Sequence, residues 1–258
     1  MTTTRKRPTI SDLTALKGER QLTMLRILTL QEAEAAECAM IDIVSIPPSL
    51  MLDPQYRDAA PSLFSMPGDT ITAVGTADDF LNWAFRLHKA RAAGVECGAS
   101  FATVKTIADE AIPMIGDVGL IPSGATWTGG FKAVGKTADS AIEIFKAVKH
   151  YEAAGAFAAE NEVVPVEIGT MISQTTSPFL LSMDAGAGCD AQYLFAEDVL
   201  DENHGHIPRY SKAYRNFAAE YDRLQFERVT AFSEFVSDAN SHTYPAELRH
   251  FMKHVEHL

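Results

Sequence analysis

Short apolar and β-branched runs alternate along this chain with longer stretches in which apolar residues recur at helical spacing. Eight runs stand out: Thr23–Leu28, Ile41–Ile46, Ser62–Met66, Gly94–Gly98, Pro113–Val118, Ala156–Val163, Pro178–Asp184 and Ala191–Ala196, the third and fourth weakest by composition. Such alternation is the pattern of βα units and a parallel sheet. Eight strands with helices between them predict a closed α/β barrel, the (βα)8 TIM barrel, rather than an open doubly wound sheet.

The intervening segments carry helix signals. Gln31–Met40 opens after Thr29, and Thr76–Ala93 starts on a threonine N-cap with Asp78 and Asp79 in its first turn, where negative charge suits the helix dipole. Thr137–Ala154 repeats the device with Asp139. The chain ends in a long polar helical region, Tyr210–Ser237, with Tyr, Phe and Leu at helical spacing. We therefore expect a single barrel domain over residues 1–258, with 208–258 as a helical C-terminal extension that caps the barrel or makes a subunit contact. No internal repeat or low-complexity tract is evident.

Composition narrows the partners. With 258 residues, 47% of them hydrophobic and 22% charged, the chain suffices for one sizeable core and is short for two. A formal charge of −12 argues against nucleic acid, whose recognition needs clustered Lys and Arg. Cys38, Cys97 and Cys189 form no C-x-x-C pair, so neither a zinc ribbon nor a disulfide framework is expected, and a reducing cytoplasm is the default. The start of the chain is polar and basic, and no apolar run approaches the length of a membrane span. The expectation is a soluble cytoplasmic protein without a membrane partner.

A TIM barrel builds its site at the carboxyl ends of its strands. That rule selects Ser45 to Ser49, Ser65 to Asp69, Glu96, Asp117, Glu160 to Glu162 and Asp184, a set dominated by acids. A lone buried carboxylate costs several kcal/mol unless it is paired, protonated or metal-bound. Glu96, Asp117, Glu162 and Asp184 thus either sit at a solvated rim beside basic partners or converge, raise one another's pKa and invite a cation.

The stretch Ile112-Pro-Met-Ile-Gly-Asp-Val-Gly-Leu-Ile-Pro122, followed by Gly129-Gly-Phe-Lys-Ala-Val-Gly-Lys-Thr137, resembles the fifth-strand region and following loop of the ketopantoate hydroxymethyltransferase family. The likeness continues through Tyr151-Glu-Ala-Ala-Gly-Ala-Phe157, Glu162-Val-Val-Pro165 and Ala185-Gly-Ala-Gly-Cys-Asp-Ala-Gln192, and includes Ser11–Gly18 and Met24-Leu25. A helix usual between the second and third strands is missing or reduced around Leu52–Pro61.

What the resemblance implies is a homo-oligomeric, metal-dependent barrel enzyme acting on a small 2-oxo acid. It transfers a hydroxymethyl group from 5,10-methylenetetrahydrofolate to 3-methyl-2-oxobutanoate on the route to pantothenate. A base removes the proton next to the ketone while a divalent cation such as Mg2+ stabilises the enolate. The family's base falls on Glu162, one metal carboxylate on Glu96 and a substrate-contacting serine on Ser49. The metal aspartate that precedes this serine in the family is replaced by Pro48, and the second metal aspartate falls near Ser65, although Asp69 lies close enough in the loop that a shifted alignment restores a carboxylate. Asp117 stands for a histidine, Gly94 for a lysine and Asp184 for a glycine.

The gained acids Asp117, Glu160 and Asp184 point to a rebuilt substrate site. Either Glu96, Asp117 and Asp184 hold a cation in a new arrangement, or the site takes a cationic or polar substrate without metal. The runner-up functions are a carbon–carbon lyase or aldol-type enzyme on another carbonyl substrate, and a non-catalytic metabolite binder. Cys97, beside Glu96, reads as a core thiol before a catalytic one. His204 and His206 in a Gly-containing loop, and His242, His250, His254 and His257 in the tail, read as surface residues, and Trp127–Lys132 reads as a lid or oligomer loop rather than a phosphate cradle.

Overall fold

A computed structural model describes residues 5–68, 75–121, 124–130, 134–202 and 207–243. Residues up to 196, with 209–211, make one compact unit, and the remainder makes a second.

The first unit is built on eight parallel strands: β1 (Leu22–Arg26), β2 (Ile43–Ile46), β3 (Phe64–Pro67), β4 (Val95–Glu96), β5 (Met114–Gly119), β6 (Ala158–Glu162), β7 (Phe179–Met183) and β8 (Ala191–Phe195). Each lies within or one residue beyond an expected run. They are hydrogen-bonded in the order β3-β2-β1-β8-β7-β6-β5-β4. The outer pair meets through a parallel bridge between Gly68 and Glu96 and a hydrogen bond from Ala93 N to Ser65 O at 2.9 Å, so the ring closes.

The helices are α1 (Ile10–Thr14), α2 (Leu30–Cys38), α3 (Pro48–Met51), α4 (Tyr56–Ala59), α5 (Ala77–Lys89), α6 (Phe101–Asp109), α7 (Ala125–Thr128), α8 (Ala138–Ala153), α9 (Val166–Thr175), α10 (Ala196–Leu200) and α11 (Phe217–Asn240). Thr29, Thr76 and Thr137 cap α2, α5 and α8, each accepting from the N3 backbone N–H while the N3 side chain returns a bond to the cap. Between β2 and β3 the expected shortening takes the form of two single-turn helices. One departure from a helix between every pair of strands lies at residues 184–190, which join β7 to β8 with no helix of their own.

Strand periodicity sorts the side chains into two cores. Leu22 and Met24, Ile43, Phe64 and Met66, Ile115, Ala158, Leu181, Ala191 and Tyr193 fill the barrel interior, and Leu13 of α1 joins them. Their neighbours one residue on, among them Val44, Val95, Met114, Val118 and Leu180, pack outward with the helices. A side-chain period of two therefore fixes which residues near the strand ends point into the barrel.

In the second unit, α11 is capped by Asn216, whose side chain accepts from Ala219 N at 2.9 Å, and Tyr221 donates to Glu202 at 3.0 Å. Phe226, Phe232 and Phe235 of this helix are exposed.

Candidate active site

Continuing the inward face to the carboxyl ends replaces the apolar filling with polar groups. Arg26 pairs in register with Ser45, and Asp117 with Glu160, while Glu96 lies opposite Ile115 and bridges Gly68. Glu162 ends β6 opposite Gly119 and Met183. Three strands, β4, β5 and β6, thus bring Glu96, Asp117, Glu160 and Glu162 into one electrostatic group: Glu96 acts on each of the other three, and Asp117 and Glu162 act on Glu160.

Hydrogen bonds link the remaining members. Arg26 Nη1 donates to Ser45 Oγ at 2.8 Å and to Gly68 O at 3.3 Å, and Ser45 Oγ donates to Glu96 Oε2 at 3.3 Å. The Glu96 side chain lies over Gly68 so closely that a Cβ there would stand 2.6 Å from Oε2. Tyr193, wholly enclosed, has its phenol raised well above the ordinary value by burial, Glu160 and Glu96. One oxygen each of Asp117 and Glu160 is buried without a partner. An enclosed, unpaired carboxyl oxygen is costly in a folded protein and marks a place where a ligand would be welcome.

The protonation states follow. Burial first, then the neighbouring acids, push Asp117 and Glu160 well above the usual carboxylate range. Burial and Glu96 raise Glu162 to about 7. A carboxyl raised in the fold contributes stability that is complete below its unfolded value, near 4.5 for glutamate, and is lost as pH climbs through the folded value. For Glu162 the loss is on the order of 3 kcal/mol at about 1.4 kcal/mol per pKa unit. We therefore expect the urea midpoint to fall between pH 5 and pH 8, and to fall less in Glu162→Gln. Identical pH slopes for the two proteins would contradict this reading.

Backbone strain sits beside the group. Val163, directly after Glu162, has φ +51, an outlier for a β-branched residue that costs on the order of 1–3 kcal/mol. Its N–H donates to Met183 O at 2.7 Å, which turns the chain sharply behind the glutamate.

Other expected site residues are placed less centrally. Ser49 is exposed on α3, just past β2, and Asp184 is half-buried just past β7. Asp184 has φ +59, which explains a glycine at that place in the family, since aspartate is among the few other residues that tolerate this conformation. It does not figure among the charges acting on the other acids. The expected trio of Glu96, Asp117 and Asp184 is therefore corrected: among the described residues no group of three or more His, Cys, Asp or Glu is placed to hold a metal ion.

The substituted positions agree with that. Pro48 is the first residue of α3 and offers no side-chain ligand atom. Ser65 faces away from the barrel interior, with its Oγ 2.7 Å from the Tyr56 hydroxyl and 3.2 Å from Arg57 Nη1, so it braces the β2–β3 connection. Gly94 leaves no room for the family's lysine, because even a Cβ would stand 2.7 Å from Phe157 and 2.9 Å from Ile115. Among the described residues these three positions supply no ligand to a divalent cation.

Cys97 is buried in the outer core and its thiol is pushed up to about 11, which favours packing over chemistry. Asp69, Pro122, Phe131, Lys132, His204, His206, His250, His254 and His257 lie outside the described residues. Arg26 and Tyr193 were not singled out from the sequence. The signal for Arg26 was present, because it breaks an inward apolar alternation of Leu22 and Met24.

A closed ring of parallel strands with ionisable side chains gathered at its carboxyl end defines a TIM-barrel protein with its candidate site where that fold places one. The chain belongs to the ketopantoate hydroxymethyltransferase family, whose pattern its residues 63–247 match. It is 33% identical over 184 residues to the 3-methyl-2-oxobutanoate hydroxymethyltransferase of Nitrosopumilus maritimus, covering 70% of this chain and 63% of that protein. It is 32% identical over 142 residues to the enzyme of the same name from Enterococcus faecalis, covering 55% of this chain and 49% of that one. The chain thus covers less than two thirds of the length of these relatives. Among solved structures, 2,3-dimethylmalate lyase superposes with a TM-score of 0.52 at 12% identity, over 90% of this chain and 89% of that one, a likeness of fold.

Proposed function

We propose that this chain is an enzyme that enolises a small 2-oxo acid and adds a one-carbon hydroxymethyl group to it, with 3-methyl-2-oxobutanoate as acceptor and 5,10-methylenetetrahydrofolate as donor. The observation that carries the reading is Glu162, a carboxylate at the carboxyl end of a barrel strand whose affinity for a proton is raised to about 7. A base so poised takes a proton most effectively near neutral pH. In this reading Glu162 removes the C3 proton, and the C–H electron pair moves into a C2–C3 double bond as the 2-oxo oxygen becomes an enolate.

Asp117 and Glu160, whose burial and neighbouring acids favour the neutral form, donate hydrogen bonds to substrate oxygens, as a buried carboxylic acid does when its site keeps it protonated. Ser49 and Asp184 contact the substrate from the rim. Family resemblance assigns Glu96 to a divalent cation such as Mg2+, but the described side chains do not complete that site. We assign the protein to the cytoplasm, in keeping with three cysteines that form no disulfide pair with one another; no described helix is long and apolar enough to cross a membrane.

A second copy of the chain is the partner we propose, through the exposed Phe226, Phe232 and Phe235 of α11. Light scattering should give at least a dimer, and Phe232→Glu should lower the mass; a monomeric wild type would end that idea. The reaction is tested by incubating the protein with both substrates, with and without Mg2+, and following ketopantoate by mass spectrometry. Ketopantoate formation supports the reading. Proton exchange at C3 without transfer would move it toward an aldol-type or carbon–carbon lyase reaction on another carbonyl compound. Binding without exchange would leave a metabolite-binding protein.

A further inference from the structure

We propose that Arg26 is the cation of this site: its guanidinium binds the 2-oxo acid's carboxylate and stabilises the enolate oxygen, so that the chemistry needs no exchangeable metal. The inference rests on the enolising reading above and deepens it.

Arg26 is the only basic residue in any of the eight strands. It ends β1 on the inward face, level with Ser45, and is half-buried rather than sealed, so a ligand entering at the strand ends can reach it. Two hydrogen bonds, relayed by Ser45 Oγ, link it to Glu96, the carboxylate the family resemblance assigns to metal. Its charge also reaches Glu160 and Tyr193. Both of its hydrogen bonds are made by Nη1, to neutral acceptors. Among the described residues Nε and Nη2 make no hydrogen bond, leaving a planar edge of the guanidinium to recognise a carboxylate side-on. The same charge is placed to offset the negative charge that develops on the 2-oxo oxygen. Among the described residues Pro48 and the outward Ser65 offer a cation no ligand at these two places, while Arg26 places a fixed positive charge beside Glu96.

The rival is a structural brace, since Nη1 ties β1 to Ser45 and Gly68. The experiment treats the protein with chelator and measures 3-methyl-2-oxobutanoate binding by calorimetry and C3 exchange by NMR, with melting temperatures as controls, in wild type, Arg26→Lys and Arg26→Met. We expect metal-free wild type to bind and exchange, with added Mg2+ changing neither. Arg26→Met should weaken binding roughly 10- to 100-fold, the range for a lost hydrogen bond to a charged group. Arg26→Lys should recover part of it while melting near wild type.

Binding or exchange that requires added Mg2+ would overturn the role of Arg26 and leave the enolising reading standing. So would normal binding by Arg26→Met. Metal-free binding that depends on Arg26 without exchange would keep Arg26 as the anion anchor and defeat the enolising reading. Should Arg26→Met fail to fold, the metal requirement of wild type and the weakened binding of Arg26→Lys still decide the matter; unchanged binding by Arg26→Lys would then count against the proposal.

Discussion

Glu162→Gln is expected to slow exchange of the C3 proton of 3-methyl-2-oxobutanoate by about 10²- to 10⁴-fold, the usual contribution of a positioned general base. The change keeps the shape of the side chain and removes only its ability to take a proton. Binding of the 2-oxo acid should survive, because the groups proposed to hold it, Asp117, Glu160 and Arg26, are untouched. Stability above neutral pH should rise, because a carboxyl that burial and Glu96 make costly to ionise is gone. NMR of the substrate in deuterated buffer, beside calorimetry, separates the two effects. Equal loss of binding and exchange would make Glu162 a binding group instead of a base.

Gly119→Ala should be among the most damaging single substitutions in the barrel. Gly119 has φ +97, a conformation L side chains rarely adopt, and an added Cβ would overlap the carbonyl oxygen of Glu162 and crowd its backbone N and C. Those are strand atoms fixed by the β5–β6 register, so no side-chain rotation relieves the overlap. Backbone strain and overpacking each cost on the order of 1–3 kcal/mol, and here they act together. The expected result is a loss of about 3 kcal/mol or more in urea unfolding, with exchange activity falling further than the folded fraction because Glu162 is displaced. A variant as stable and active as wild type would mean the strands yield more readily than their pairing suggests.

The barrel was legible because its strands are short apolar runs of the expected length, and because Thr29, Thr76 and Thr137 announce the helices that follow. Even β4, only Val95 and Glu96 in the fold, was caught, since Gly94 and Gly98 bracket it. The convergence of Glu96, Asp117 and Glu162 was readable from the rule that strand ends face the site.

Direction was not readable at Ser65. Its place near a family aspartate suggested the site, but strand register turns it outward to Tyr56 and Arg57. Asp184 misled only as a metal ligand: it forms no cation-holding group with Glu96 and Asp117 among the described residues, and its left-handed backbone suits either aspartate or glycine. Arg26 was overlooked because a basic residue at a strand end reads as a solvated rim, and only the pairing with Ser45 shows that it faces inward.

The pH dependence of C3 exchange in 3-methyl-2-oxobutanoate by the wild-type protein tests the assignment of Glu162 most directly. If Glu162 is the base, the rate should rise with pH and reach half its plateau near pH 7, where burial and Glu96 place its proton, and Glu162→Gln should abolish that limb. No exchange at any pH, or a rate already at its plateau by pH 5, would contradict it.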